Sequence, residues 1–341
     1  MAGRRLTQRQ QGRIQRLQDG RRDRADQWLE TLDSAGLGSE QTGLVITHYG
    51  QTLIVEDSEG RLHRCAARQN LGRLACGDRV VWQASGAGEG VIVAVGERCS
   101  LLTRLDYHGQ PRPIAANLDA VVVVLAPEPE PSEYLIDRYL VAIAAIGVRG
   151  LLLLNKLDLL DPSALAALSV RLEPYHRIGY PLLLASSHTA QGLDNLRDWL
   201  HGHTSLLAGQ SGVGKSSLIK ALLPDRNIRI QAVSQATGHG SHTTSNSTLY
   251  HLPDGGNLID TPGVRSFELG EISLGDLDRG FTEISPYLGR CRFSDCRHDS
   301  EPDCALREAA ARGVIVQRRL DSYQQLRAAL EAAAKPRRQT P

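Results

Sequence analysis

The chain of 341 residues is poor in aromatic side chains, which make up 4% of it, and contains a single methionine. So few flat rings leave little material for an extended base-stacking surface. Long apolar runs are also missing. The longest, Leu140 to Val148, is nine residues and is closed by Arg149, far below the roughly 20 that a membrane-spanning helix needs. The first residues are arginines and glutamines where a secretory signal would be apolar, so no membrane association is expected. Charge of one sign is lacking as well: the net value is +1, which excludes a chain that binds polyanions by bulk charge. Cysteine is scarce for a disulfide scaffold, with six in the whole chain. Three of the six gather around one histidine, a pattern of metal binding in a reducing compartment. The cytoplasm is the expected location.

What is present is unevenly distributed. Eight arginines (Arg4, Arg5, Arg9, Arg13, Arg16, Arg21, Arg22 and Arg24) crowd the first 24 residues, and the tail carries Lys335, Arg337 and Arg338. Basic ends on a neutral body contact nucleic acid or simply solubilise the chain. Residues 1–40 read as a basic, flexible leader. From Thr42 to about Leu105, β-prone runs at Gly43–Ile46, Thr52–Val55, Leu62–Ala66, Asp78–Trp82 and Gly90–Val95 are separated by turn residues. Five short strands in so little chain predict an OB-like barrel over 41–105, a fold that often binds RNA. Cys65, Cys76 and Cys99 fall in this region and are expected to be small core residues.

From Asn117 the rhythm becomes α/β, predicting a domain over 106–272. Apolar strands at Leu118–Ala126, Leu151–Leu154, Pro181–Ala185, Ser205–Ala208 and Asn257–Ile259 alternate with helices at Pro131–Gly147, Pro162–Pro174 and Leu193–Leu200. Such alternation makes a parallel, doubly wound sheet. Residues 273–341 read as a helical metal-binding domain with a basic tail, its last helix running from about Cys304 to Ala334.

Two nucleotide motifs carry the chemistry. Gly209, Gln210, Ser211, Gly212, Val213, Gly214, Lys215 and Ser216, followed by Ser217, form GxxxxGKS. Glycines let backbone N–H groups converge on phosphate, Lys215 reaches the β and γ phosphates, and Ser216 ligates Mg²⁺. Asn155, Lys156, Leu157 and Asp158 form NKxD, whose aspartate accepts hydrogen bonds from N1 and N2 of guanine together, a donor pair that adenine does not offer. Ser186 and Ser187, after the next strand, are placed to contact the guanine carbonyl. Asp260, in Asp260-Thr261-Pro262-Gly263, lies 44 residues after Ser216. It is expected to hold Mg²⁺ through water, with the Gly263 N–H sensing the γ-phosphate. Thr243 or Thr244, in a polar glycine-rich stretch, would join the Mg²⁺ shell. Val264 stands where many GTPases place a water-orienting glutamine; His242 is the first local substitute and His239 the second.

NKxD here precedes the P-loop, the reverse of the ordinary order, which implies a circularly permuted GTPase. Cys291, Cys296, His298 and Cys304 lie within fourteen residues. Three thiolates and an imidazole suit one tetrahedral, structural Zn²⁺ with no open position for catalysis.

Together with Arg112–Asn117, GSHTTS at 240–245 and DTPGVRSF at 260–267, these motifs resemble the circularly permuted ribosome-assembly GTPases of bacteria, the ribosome small subunit-dependent GTPase A family. The likeness covers roughly residues 40–330. It implies an OB barrel, a permuted G domain and a C-terminal zinc domain, in a monomer that binds GTP, GDP, Mg²⁺, ribosomal RNA and the 30S subunit. It further implies hydrolysis stimulated by that subunit late in its maturation and release afterwards. The valine at 264 is shared with this family. Two other classes remain open on the residues alone: an RNA-binding module with vestigial GTPase activity, and a P-loop metabolic kinase.

Overall fold

The computed structural model describes residues 36–49, 52–86, 88–105, 110–224, 247–261 and 272–334. Its contacts divide into two units, one of residues 1–99 with 225–250 and one of residues 100–224 with 251–341. Strands and helices are numbered along the chain.

The first unit is a barrel of β1 (Glu40–Tyr49), β2 (Thr52–Glu56), β3 (Leu62–Ala67), β4 (Arg79–Gly86) and β5 (Glu89–Val95). Its strand order is β1-β2-β3-β5-β4 and a β1–β4 pairing closes the ring. All pairs are antiparallel except β3–β5. This is the five-stranded OB topology expected from the spacing of turns. Alternation along the strands turns Val45, Leu53, Val55, Cys65, Val80, Trp82 and Ile92 inward. Trp82 fills so much of the interior that a Cβ at Gly90 would sit 2.6 Å from its ring. A bulge between Val45 and Thr47 bends β1. Beyond the bend, Thr47 pairs with Thr248, the first residue of β12 (Thr248–His251). Buried Asp78 receives the Ala75 N–H at 2.7 Å and ion-pairs with Arg98 at 2.6 Å. Cys65 and Cys76 are buried as expected, whereas Cys99 is exposed: it follows the last barrel strand and faces out.

In the second unit, β6 (Leu101–Leu105) and β7 (Pro111–Ala116) form a separate hairpin, which the sequence reading did not anticipate. A parallel sheet then follows in the order β10-β9-β8-β11-β13. Its strands are β8 (Ala120–Leu125), β9 (Arg149–Leu154), β10 (Leu182–Leu184), β11 (Thr204–Ala208) and β13 (Asn257–Asp260). Every residue of β8 is buried, as a strand covered on both faces must be. The helices are α1 (Glu133–Ile146), α2 (Pro162–Arg177), α3 (Leu193–Leu200) and α4 (Lys215–Leu222). Gly147, at φ 72°, ends α1 in the left-handed conformation that spares glycine a steric cost. Asp161 caps α2 by accepting the Ala164 N–H at 2.8 Å.

The C-terminal segment adds α5 (Leu274–Gly280), α6 (Ala305–Ala311) and α7 (Gln317–Ala334). The single helix expected from Cys304 is therefore two helices. Gly313, at φ 74°, reverses the chain between them so that Ile315 can enter the core. That core joins Leu277, Phe281, Leu306, Leu320 and Tyr323 to Val141 of α1. Close approach of α1 and α5 depends on Gly280, where a Cβ would lie 2.8 Å from the Val141 Cα. Arg319 is 2% exposed, ion-pairs with Asp137 of α1 and with Glu283, and lies over the Phe281 ring at 4.2 Å. Burial opposes its charge, but the two carboxylates outweigh that and its pKa is raised. Among the described residues no helix is long and apolar enough to cross a membrane.

Candidate nucleotide site and metal centre

Parallel strands end at one edge, and the motifs follow strand ends. Leu125 of β8 is in register with Leu154 of β9, and Leu154 with Leu184 of β10. The segments after β9 (Asn155–Asp158), after β10 (Ser186–Ser187) and after β11 (Gly209–Ser217) therefore emerge side by side, in the crevice where open α/β sheets bind ligands.

Asn155 ties the three segments together. Fully buried, it donates from Nδ2 to the Val213 carbonyl at 2.9 Å and accepts the Ser187 N–H at Oδ1, 3.1 Å. Gly214 makes this possible: a Cβ there would fall 2.3 Å from Asn155 Nδ2. The P-loop glycines Gly209, Gly212 and Gly214 have φ of 141°, 88° and 95°, conformations open to glycine and rare for other residues. Gly209 also passes so close to β8 that a Cβ would lie 2.4 Å from the Val124 carbonyl oxygen. At the head of α4, Lys215 donates from Nζ to the Gly209 and Gln210 carbonyls, each at 2.6 Å, which places its ammonium inside the loop. The N-terminus of α4 adds its partial positive charge at the same place.

Asp158 accepts a hydrogen bond from Ser186 Oγ. That bond is the main reason its pKa lies below the usual carboxylate value, so the group is an anionic acceptor throughout the neutral range. Ser186 Oγ in turn accepts the N–H groups of His188 and Thr189 at 3.2 and 3.1 Å. Lys156 has φ 64° and donates from Nζ to the Glu128 carbonyl at 2.8 Å. This last partner was missed. The available signal was the alternation Pro127-Glu128-Pro129-Glu130-Pro131 directly after a buried strand, a stretch that cannot be helical and has to turn beside the strand ends.

Asp260 closes β13, whose Ile259 follows Leu258 in register with Ser205 of β11, and so lies at the same sheet edge. Gly263, Val264, His239, His242, Thr243 and Thr244 lie outside the described residues.

The four metal-ligand candidates do converge. One ligand atom from each of Cys291, Cys296, His298 and Cys304 lies within 4.8 Å of all the others. Cys291 and Cys304 sulfurs are 3.9 Å apart, and both lie near His298 Nδ1, at 3.4 and 3.5 Å. Tetrahedral thiolates at ~2.3 Å from a metal stand about 3.8 Å apart, so the cage fits a tetrahedral ion. Burial pushes the Cys296 thiol up to about 12 and the His298 imidazole down. A neutral imidazole is the form that binds metal, and a cation is the natural offset for thiolates held in such a place. Gln324 of α7 donates to the His298 carbonyl, fixing the loop from outside.

Residues 95–270 match the family model described as RsgA GTPase. A protein of Ectopseudomonas mendocina named small ribosomal subunit biogenesis GTPase RsgA is 48% identical over 97% of this chain and 98% of its own. A relative of the same name from Azotobacter vinelandii is 49% identical over the same shares. Among solved structures, YjeQ from Thermotoga maritima superposes with a TM-score of 0.70 at 32% identity, covering 87% of this chain and all of that one. YloQ, described as a circularly permuted GTPase, gives 0.68 at 29% identity over 88% and 97%.

Proposed function

Because this chain belongs to the RsgA GTPase family, we propose that it hydrolyses GTP as a timer in the late maturation of the small (30S) ribosomal subunit. The GTP form grips the subunit, contact with the subunit speeds hydrolysis, and the GDP form lets go. The observation that carries the reading is the position of Asn155, hydrogen-bonded at once to the P-loop and to the segment after β10. It supports a single guanine-nucleotide pocket despite the reversed chain order.

In that pocket Asp158 accepts from guanine N1 and N2, Asn155 braces the loops, Lys156 lies along the base, and Ser186 and Ser187 face the guanine carbonyl. P-loop N–H groups and Lys215 hold the β and γ phosphates. Ser216, Asp260 and one of Thr243 and Thr244 surround Mg²⁺, and the Gly263 N–H senses the γ-phosphate. His242 orients the attacking water, with His239 as the alternative. Unaided turnover is expected to be slow, on the order of 10⁻⁴ to 10⁻² s⁻¹.

The cysteine–histidine cage takes one structural Zn²⁺. The barrel and the zinc module contact ribosomal RNA; exposed arginines such as Arg68, Arg73 and Arg79 on the barrel suit phosphate contacts. The protein acts as a cytoplasmic monomer. Purified 30S subunits are expected to raise GTP turnover by at least tenfold, and subunits pelleted with a non-hydrolysable GTP analogue are expected to retain more protein than with GDP. Equal retention in both nucleotide states would rule out the timer, and preference for ATP would return the kinase reading.

A further inference from the structure

Lys156, at φ 64°, sits in the left-handed region, a conformation strained for an L-residue that persists where its surroundings over-determine it. Its backbone is held by the Leu157 N–H to the Ala185 carbonyl at 3.2 Å. Its side chain is held by the Glu128 carbonyl. That carbonyl can position an ammonium only if the segment 128–133 is itself fixed, and the residue that fixes it is on another helix. Arg171 of α2 donates from Nη2 to the Pro131 carbonyl at 2.8 Å and to Glu133 Oε2 at 2.8 Å. Its Nη1 donates to Glu130 Oε1 at 2.6 Å, and its Nε to Glu133 Oε1. All three nitrogens of one guanidinium thus grip one short segment. Arg318 of α7 braces this grip from behind, donating to the Arg171 carbonyl and lying 3.6 Å from Glu133.

We infer that Arg171 is a positioning residue for guanine-nucleotide binding, holding the 128–133 segment so that the Glu128 carbonyl keeps Lys156 in place beside the base. The inference rests on the reading of Lys156 as part of the nucleotide pocket. Arg171 touches no nucleotide; it acts through the Glu128 carbonyl. Its planar fork is what the role requires, because a lysine would keep the charge near Glu133 and lose the simultaneous hold on Pro131 and Glu130.

The test is a double-mutant cycle with N-methylanthraniloyl-GDP as fluorescent probe, using the full chain. Arg171→Ala is expected to weaken binding about tenfold and to raise KM for GTP to match, with kcat moving by about twofold at most. Arg171→Lys, the safer variant for folding, is expected to lose about threefold or more. In a Lys156→Ala background the same substitutions are expected to change affinity by less than about twofold. If Lys156→Ala weakens binding while Arg171→Ala and Arg171→Lys bind as the native chain does, the inference fails and the pocket stands. It also fails if the effect of Arg171→Ala is undiminished in the Lys156→Ala background, since a general structural loss would not depend on Lys156. Should Lys156→Ala itself bind normally, both the pocket assignment and this inference fall.

Discussion

At the scale of single residues the sharpest chemistry belongs to Asp158. Its carboxylate is kept ionised chiefly by Ser186 and offers acceptors alone, which is what the N1 and N2 donors of guanine demand. Asp158→Asn turns one acceptor into a donor. Calorimetric titration is expected to show GTP affinity falling by about 10² or more. Xanthosine triphosphate, whose C2 oxygen can accept that donor, is expected to bind the variant better than the native chain. Asp158 could be nominated in advance because it belongs to a short contiguous motif whose spacing suggests its chemistry. Arg171 and Arg319 could not. Their partners lie about 40 and 182 positions away along the chain, and no local pattern distinguishes an arginine that folds inward from one that faces water. Cys99 failed for a related reason: it stands in Glu97-Arg98-Cys99-Ser100, past the last strand of the barrel, where burial ends.

Among elements, contacts between helices decide what the motifs can do. α1 carries the Val141 surface that accepts Gly280 of α5, and with a backbone atom 2.8 Å from the missing Cβ the helices have to separate for any side chain to fit. Gly280→Ala is expected to destabilise the chain by about 1–3 kcal/mol, read as a lowered urea midpoint with little change in slope. The Arg171–Glu133 pair at the start of α1 gives a pH dependence of known sign. Glu133 has its pKa lowered, first of all by the Arg171 hydrogen bonds, so its contribution to stability is complete above the ordinary value of 4.5 and is lost as pH falls through the lowered one. Native and Glu133→Gln chains should therefore differ in urea midpoint by a constant amount from pH 7 to about pH 5, and the difference should shrink below pH 4.5. Element types followed from periodicity with few exceptions. The continuous apolar runs became parallel strands and the polar-apolar stretches became helices. Pattern alone could not show the β6–β7 hairpin, whose second strand opens on Pro111-Arg112-Pro113 and reads as a loop, nor the break at Gly313 inside an otherwise helical run.

For the molecule as a whole, the permuted order has a simple outcome: the nucleotide fold receives the chain from the barrel and passes it on to the helical module that carries the cysteine–histidine cage. The module's core draws on Leu277, Phe281, Leu306, Leu320 and Tyr323, and the cysteine–histidine cage joins the two ends of the 291–304 segment beside it. A tight chelator, or Cys296→Ser, is expected to abolish the module's share of the thermal transition, a loss that bound zinc could offset by about 10–16 kcal/mol. Differential scanning calorimetry with and without chelator checks this; superimposable traces would mean that the cage is not a metal site in solution. The domain order could be read from the sequence because NKxD, the P-loop and the cysteines each mark one segment.

The bend in β1 has a consequence for molecules meeting one another. A strand that offers unpaired N–H and C=O groups along its flank is a template on which a second molecule can dock. Here the first half of β1 is taken by β4 and the far half meets Thr248, while the other four strands of the ring each have neighbours on both sides. Among the described residues, strand-to-strand docking of a second molecule is therefore steered away from the barrel and toward strands at a sheet end, such as β10.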